Sequence, residues 1–410
     1  MVDAEEYPKI LKAELEVGMV TFDTTPGVTV NGAFGVAKKK ESDPLTRVIL
    51  DGTPVNEITA DLPKVKLANA AYLSRLPAEV NWGGSGDLAS YYNLLKLPES
   101  WKAHFGFPRI AGWKVGKPEV EWIYPVSNTL PMGWTGSVLV GQLFHEKLVA
   151  EYIESKPPEL EGLTMVNLAD EEAVRKSRLL DVDKVVFYLV YVDDVSVFHF
   201  RRSKVNEVLQ GLFDKYVSAG MVVKDSKTVW ATRALRVLGV WVDLVNNIVR
   251  PIDENLIFLN TNLPKFVNSR RKLTAGTFQT LLGKLLWSVL ICRPVLSVLD
   301  ASFVFAQKLE DKGPLRLWKS VRDELRMIWD LLPMLERPLY RIIDGAIATD
   351  AISKSDWCRL RRHMPEHSER PTQVPRAILE WIDNPCEDIL LGQKILIELA
   401  GGGPVVGYNC

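Results

Sequence analysis

Two aspartates, Asp193 and Asp194, stand side by side between two apolar, β-branched runs, VVFYLVYV before them and VSVFHF after them. Two such runs separated by a polar dipeptide predict a β-hairpin with the acids at its tip. Adjacent carboxylates repel each other, and a rigid turn holds them together only when something compensates the charge. A divalent cation does so. Hard oxygen ligands suit Mg²⁺, which takes one or two carboxylates together with the phosphate oxygens of a substrate. Taken alone, the string also fits a solvated Asp-Asp turn.

A second chemistry-bearing stretch lies further on. Between Asn255 and Leu299 there is no acidic residue, whereas Lys265, Arg270, Arg271, Lys272, Lys284 and Arg293 all fall there. That is a local patch suited to a polyanion. Inside it Gln279, Gly283 and Trp287 recur at i, i+4 and i+8 and share one helix face. A glycine lets a backbone approach closely, and a tryptophan packs on sugars or, in the alternative reading, on the protein's own core.

These groups need ordered elements to position them, and the hydrophobic pattern predicts several. Residues 17–60 read as short strands broken by turns, and 91–125 is mixed and aromatic-rich. A helix is predicted from Thr135 through Ile153, then the acidic hairpin, then a helix over KVNEVLQGLFDKYVSAG ended by Gly220. A strand pair is expected around RALRVLGVWVDLVNNIVR. LTAGTFQTLLGKLLWSVL is a helix with Thr274 as N-cap, and GPLRLWKSVRDELRMIWDLLPML is another before a break near Arg337-Pro338. RPLYRIIDGAIATDA restarts as a strand.

The whole composition bounds the answer. At 410 residues the chain is long enough for two or three domains. Hydrophobic residues make up 47% and charged residues 25%, which excludes a disordered, collagen-like or disulfide-scaffold chain. With 50 basic and 51 acidic residues the net charge is −1, so any polyanion must be held by local patches. The cysteines (Cys292, Cys358, Cys386, Cys410) are too dispersed for a metal clip or a disulfide framework, which points to a reduced, intracellular setting. The acidic, polar start MVDAEEYPKILKAELE is no secretory signal, and the apolar stretch Leu281–Leu299 is cut by Lys284 and Arg293, so no membrane partner is expected. No repeat or low-complexity tract is visible.

The string Tyr191-Val192-Asp193-Asp194 resembles the catalytic motif of reverse transcriptases, and further strings resemble that family's motifs in the same order. GDLASYYNLLKLPESW resembles the first palm motif, with Asp87 as third metal ligand and Tyr92 as the gate. Leu130-Pro131-Met132-Gly133-Trp134-Thr135-Gly136-Ser137 resembles LP-x-G-W-x-x-S. Lys38-Lys39-Lys40, Arg47-Val48-Ile49-Leu50-Asp51 and Asn56 look like the fingers segment gripping a triphosphate. Lys227 and Val237-Leu238-Gly239-Val240 are similar to the motif-D lysine and the primer grip, and Gln279, Gly283 and Trp287 to the minor-groove face. The resemblance covers roughly residues 17–300 and places the sequence closer to long-terminal-repeat and tyrosine-recombinase elements than to bacterial group II intron enzymes.

The resemblance implies an α+β right-hand polymerase: fingers and palm over 1–245, with an antiparallel palm sheet, thumb and connecting helices over 246–337, and a partial ribonuclease H-like α/β segment over 338–410. It implies an RNA-directed DNA polymerase adding dNTPs to a primer 3′-hydroxyl. Two Mg²⁺ ions, or Mn²⁺, would be held by Asp87, Asp193 and Asp194, with Asp87 at a strand end after a Gly83-Gly84 turn. Lys39, Lys40 and Arg47 would clamp phosphates, Arg47 by a bidentate fork. Met132 replaces the glutamine common in retroviral enzymes and bears on template positioning. Tyr92 would exclude a 2′-hydroxyl. Lys227, with Lys224 as the alternative, would protonate pyrophosphate. Leu238, Gly239, Gln279, Gly283 and Trp287 would hold the template–primer, an RNA or DNA template with a DNA or RNA primer.

In the tail, Asp350 after a strand and Glu398 on a helix resemble half the ligand set of a ribonuclease H, so RNA cleavage is expected to be absent; the chain is a fragment of a polyprotein or carries a decayed domain. The rival readings are a domesticated, non-catalytic nucleic-acid-binding scaffold and an RNA-templated RNA polymerase. The sequence leaves oligomeric state open, and localisation is expected in a cytoplasmic particle or the nucleus.

Overall fold

The fold is that of a computed structural model, which describes residues 5–23, 25–37, 46–335 and 337–338. The described residues divide into two compact units, one comprising those up to 68 and 80–235, the other Asn69–Glu79 with those from Arg236 to Pro338.

The first unit is built on a five-stranded sheet. Its strands are β1 (Trp82–Asp87), β2 (Thr164–Asn167), β3 (Val185–Tyr191), β4 (Asp194–His199) and β5 (Val229–Thr232), in the order β5-β1-β4-β3-β2. All neighbours are antiparallel except the edge strand β2, which runs parallel to β3. β3 and β4 are buried on both faces over most of their length, and β3 is apolar apart from its tyrosines. Helix α1 (Gly136–Glu154) and helix α2 (Arg202–Ser218) belong to the same core, α2 through Val205, Val208, Leu209, Leu212, Phe213 and Tyr216. α2 ends where Gly220 takes a left-handed conformation, φ +78°.

The helix lies close to β1 because Gly84 and Gly86 present no side chain to it. A Cβ on Gly84 would stand 2.6 Å from a Leu209 methyl and 2.7 Å from the Val229 carbonyl oxygen; one on Gly86 would meet the Phe213 ring at 2.5 Å. The Gly83-Gly84 pair is therefore inside the strand, not the turn that its composition predicts: Gly84 answers to packing against the helix, and Gly83 to Phe198 and Leu235.

Elsewhere in this unit, Gly32–Ala37 pairs with Thr46–Asp51 as an antiparallel hairpin, and Val20–Asp23 pairs with Trp122–Ser127. A short helix, Thr53–Ile58, also interrupts the region read as strands.

A further sheet begins at the boundary with β6 (Ala234–Val237), whose last two residues fall in the second unit, and continues with β7 (Val240–Asp243) and β8 (Ile248–Pro251), three strands where a pair was expected, with Arg337–Pro338 at its edge. The helices of the second unit are α3 (Asp253–Asn268), α4 (Ala275–Val289), α5 (Asp300–Lys312) and α6 (Lys319–Leu331). The Thr274 side chain accepts from the Thr277 N–H and caps α4, as predicted. α6 starts later than its apolar pattern, because Leu315–Arg316 pairs as a short strand with Lys272–Leu273. The apolar run of α4 is core: Phe278, Leu281, Leu282, Leu285 and Val289 are buried with Leu259, Leu263, Phe305, Leu325 and Ile328.

Gly84→Ala should lower unfolding stability by about 1–3 kcal/mol, because one of the atoms it meets is a ladder carbonyl that cannot swing aside. Urea denaturation checks this; an unchanged midpoint would show that α2 and β5 can move apart freely.

Candidate active site

Asp87 is the last residue of β1 and Asp194 the first of β4, and the two are cross-strand partners in register. The Leu88 N–H donates to the Asp193 carbonyl at 3.0 Å, which ties the chain after Asp87 to the hairpin tip. Asp87 and Asp194 thus stand opposite each other at one end of the sheet, with Asp193 beside them in the turn; among the described residues no three His, Cys, Asp or Glu side chains are grouped as a metal-holding set. Asp87 is 8% exposed, whereas Asp194 faces solvent on one side.

The charge balance is visible in the side chains. The Lys227 ammonium contacts the Asp87 Oδ2 at 2.5 Å. That bond raises the lysine above its ordinary pKa, against partial burial. Burial of its carboxyl, then the proximity of Asp193 and Asp87, push Asp194 up to about 7, with Lys227 pulling the other way. The raised Asp194 and the ammonium at Asp87 both reflect concentrated negative charge at this end of the sheet, the kind of charge that a divalent cation neutralises. Asp87, Asp193 and Asp194 are the residues that would hold it.

The two lysines of the following loop divide their work. Lys227 reaches the Asp87 carboxylate, while the backbone N–H of Lys224 donates to the Asp87 carbonyl at 2.9 Å.

The hairpin tip is strained. Tyr191 pairs with Asp194, leaving Val192 and Asp193 as the turn, and Val192 has φ +52°. A β-branched residue there costs on the order of 1–3 kcal/mol and persists only where its surroundings enforce it. Those surroundings are on α1. The Gln142 Oε1 accepts from the Val192 N–H at 2.7 Å and its Nε2 donates to the Val190 carbonyl at 3.2 Å. His145 Nδ1 lies 2.7 Å from the Val192 carbonyl oxygen, and its Nε2 lies 2.8 Å from the Tyr216 hydroxyl. A carbonyl only accepts, so Nδ1 carries the hydrogen and Nε2 accepts from Tyr216. Burial holds this imidazole neutral, its pKa lowered to about 4. Gln142, His145, Val192 and Tyr216 were not among the site residues expected from sequence; their signal was two polar residues, Gln142 and His145, on an otherwise apolar helix face.

Tyr91 and Tyr92 differ in their surroundings. Tyr91 is buried and donates to the Gly141 carbonyl at 2.6 Å. Tyr92 is half-buried, with its hydroxyl pKa pushed up to about 12 by burial and then by Asp193. Met132 holds the adjoining loop: its carbonyl accepts from Leu50 N–H at 2.9 Å, and Asn56 bridges Gly133 O and Thr135 N–H. Gly133 has φ +115°, and a Cβ there would lie 1.9 Å from the Leu50 oxygen, so only glycine fits. Arg47 pairs in register with Val36 in the neighbouring hairpin. Lys39, Lys40, Asp350 and Glu398 lie outside the described residues, as does the Arg47 side chain.

In the second unit, Leu238 (φ +47°) and Gly239 (φ +75°) form the β6–β7 turn, and the Trp287 ring lies 3.6 Å from where a Gly239 Cβ would be. Gly239 and Trp287 border an open cleft of about 430 Å³ lined also by Arg236, Glu254, Asn255 and Lys284. Gly283 opens on free space and Trp287 is exposed, which decides against the core reading of that tryptophan. Gln279 is also exposed, and its amide donates to Glu310 on α5.

The raised Asp194 makes stability pH-dependent. The unfolded chain loses this proton near 3.8 and the folded chain near 7, so the folded state binds more protons in between and stability falls as pH rises through that window. In EDTA, Asp194→Asn should therefore gain stability relative to wild type progressively from pH 4 to 7, and Mg²⁺ should stabilise the wild type more than the variant at pH 7.5. Thermal melts at stepped pH check this; a constant difference between the two proteins would contradict it.

Residues 38–242, half of the chain, match the family model described as reverse transcriptase (RNA-dependent DNA polymerase). No curated protein matches. Among solved structures, the foamy viral protease-reverse transcriptase dRH in complex with dsDNA superposes with a TM-score of 0.54 at 14% identity, covering 82% of this chain and 49% of that one. The foamy viral protease-reverse transcriptase in complex with dsDNA gives 0.54 at 15% identity over 84% and 60%, and its complex with an RNA/DNA hybrid gives 0.54 at 16% over 81% and 37%. At these identities the likeness is one of fold, and the chain spans about half the length of the first of them. The matched half contains the converging aspartates, the loop at Met132 and the Lys227 segment, and the chain belongs to the reverse transcriptase (RNA-dependent DNA polymerase) family.

Proposed function

We propose that the chain is an RNA-directed DNA polymerase of a retroelement, adding deoxynucleotides to a primer 3′-hydroxyl by two-metal-ion nucleotidyl transfer. The observation that carries this reading is the register of Asp87 opposite Asp194, with the Asp193 carbonyl bonded to Leu88 N–H, which brings the three aspartates to one sheet end. Bound there, two Mg²⁺ or Mn²⁺ ions would lower the charge on the attacking and leaving oxygens of an in-line displacement.

The chain's own groups do the rest. Tyr92 stands near Asp193 on a half-buried ring, where it would meet the sugar of the incoming nucleotide and disfavour a 2′-hydroxyl. Arg47, with Lys39 and Lys40, would bind the triphosphate, and the loop anchored at Met132 and Gly133 would border it. Lys227 is the proton donor for the leaving pyrophosphate; the contact of Lys224 with this site is through its backbone, which favours Lys227 of the two. Leu238, Gly239, Gln279, Gly283 and Trp287 would track the primer strand and the minor groove, with Lys284 and Arg236 supplying positive charge in the cleft that Gly239 and Trp287 border. The solved relatives in complex with dsDNA and an RNA/DNA hybrid support nucleic-acid partners of this kind.

Primer extension on an RNA template with Mg²⁺, comparing dNTPs with NTPs, tests the proposal. Extension with dNTPs is expected, with little from NTPs, and Asp193→Asn should abolish it. Tight, salt-sensitive hybrid binding without extension would favour a non-catalytic scaffold, and efficient NTP use would favour an RNA polymerase.

A further inference from the structure

We propose that His145, backed by Tyr216, is a positioning residue for the polymerase reaction: by donating from Nδ1 to the Val192 carbonyl it enforces the left-handed backbone that presents Asp193 and Asp194. This rests on the polymerase reading above and adds to it a determinant outside the aspartates.

The geometry is specific. His145 and Tyr216 are completely buried, and each polar atom of the imidazole has one partner. Tyr216 comes from α2, the helix packed on β1, and His145 from α1, so the relay joins both helices to the hairpin tip. Ring packing fixes the imidazole plane: the Tyr216 ring meets it edge-on at 5.1 Å and the Tyr91 ring is 6.0 Å away. Gln142 takes the N–H of Val192 while His145 takes its carbonyl, so both peptide groups of the strained residue are held from one helix. His145 touches no carboxylate of the site in any of these contacts; its effect passes through the backbone of Val192.

Two substitutions separate a donor role from mere space-filling. The amide of an asparagine falls near the Nδ1 position of a histidine, and that of a glutamine near Nε2. His145→Asn should therefore keep the Val192 bond and retain kcat for single-nucleotide addition within about threefold. His145→Gln should lose it and reduce kcat about 10- to 100-fold, the range seen when groups orienting metal ligands are removed. Kd for a template–primer hybrid should stay within about twofold in both. Adding Val192→Gly to His145→Gln should restore part of kcat, because glycine adopts positive φ without enforcement. Tyr216→Phe should give a smaller loss than His145→Gln and serves as the second probe if the glutamine variant fails to fold. Equal losses in the asparagine and glutamine variants, or no rescue by glycine, would overturn the proposal. If the wild type extends no primer, the polymerase reading fails separately, and Mn²⁺ affinity by electron paramagnetic resonance then decides the positioning role. It should follow wild type ≈ His145→Asn > His145→Gln, and identical affinities would refute it.

Discussion

Like-charge repulsion among Asp87, Asp193 and Asp194 is the constraint that the first unit is built to withstand. Carboxylates this close favour protonation or separation, and the fold permits neither freely. β1 and β4 pair in register up to the acids themselves, the Leu88 N–H is bonded to the Asp193 carbonyl, and Lys227 offsets part of the charge. The turn between β3 and β4 is made by a valine with positive φ rather than by the glycine or asparagine such turns favour, so its shape is imposed from outside. Strain in the turn and crowding of the charges are two aspects of one arrangement, and a bound cation would relieve the second.

The arrangement explains features that look unrelated in the sequence. The glycines of β1 let α2 lie against the strand, which brings Tyr216 within reach of His145. The small residue Gly141 leaves room on α1 for Tyr91 and Tyr92, one bonded to its carbonyl and the other left half-buried beside the acids. Gln142 and His145 then occupy the next turn of the same helix and grip Val192. The second unit has its own core and its own polar cleft, where a left-handed Leu238-Gly239 turn meets an exposed tryptophan.

Much of this was legible in the sequence because the hydrophobic period is strong where the core is continuous. The hairpin around Asp193-Asp194, helix α2 with its glycine stop, and helix α4 with its Thr274 cap all follow from local pattern and capping chemistry. The misreadings share a cause. Gly83 and Gly84 look like a turn, yet they are strand residues, Gly83 packed on Phe198 and Leu235 and Gly84 on Leu209 of α2; the short strand Leu315–Arg316 depends on Lys272–Leu273, distant in the chain. The buttress of Val192 was hidden for the same reason: a histidine and a tyrosine 71 residues apart form one hydrogen-bonded unit only after two helices have packed.

The most direct test of the account is local cleavage by iron. Fe²⁺ replacing Mg²⁺, with ascorbate and peroxide, cuts the backbone next to the site it occupies. The account predicts cuts near Asp87 and near Asp193-Asp194, suppressed by excess Mg²⁺ and lost in Asp193→Asn. Cuts confined to other segments, or an unchanged pattern in the variant, would contradict a cation site built from these three carboxylates.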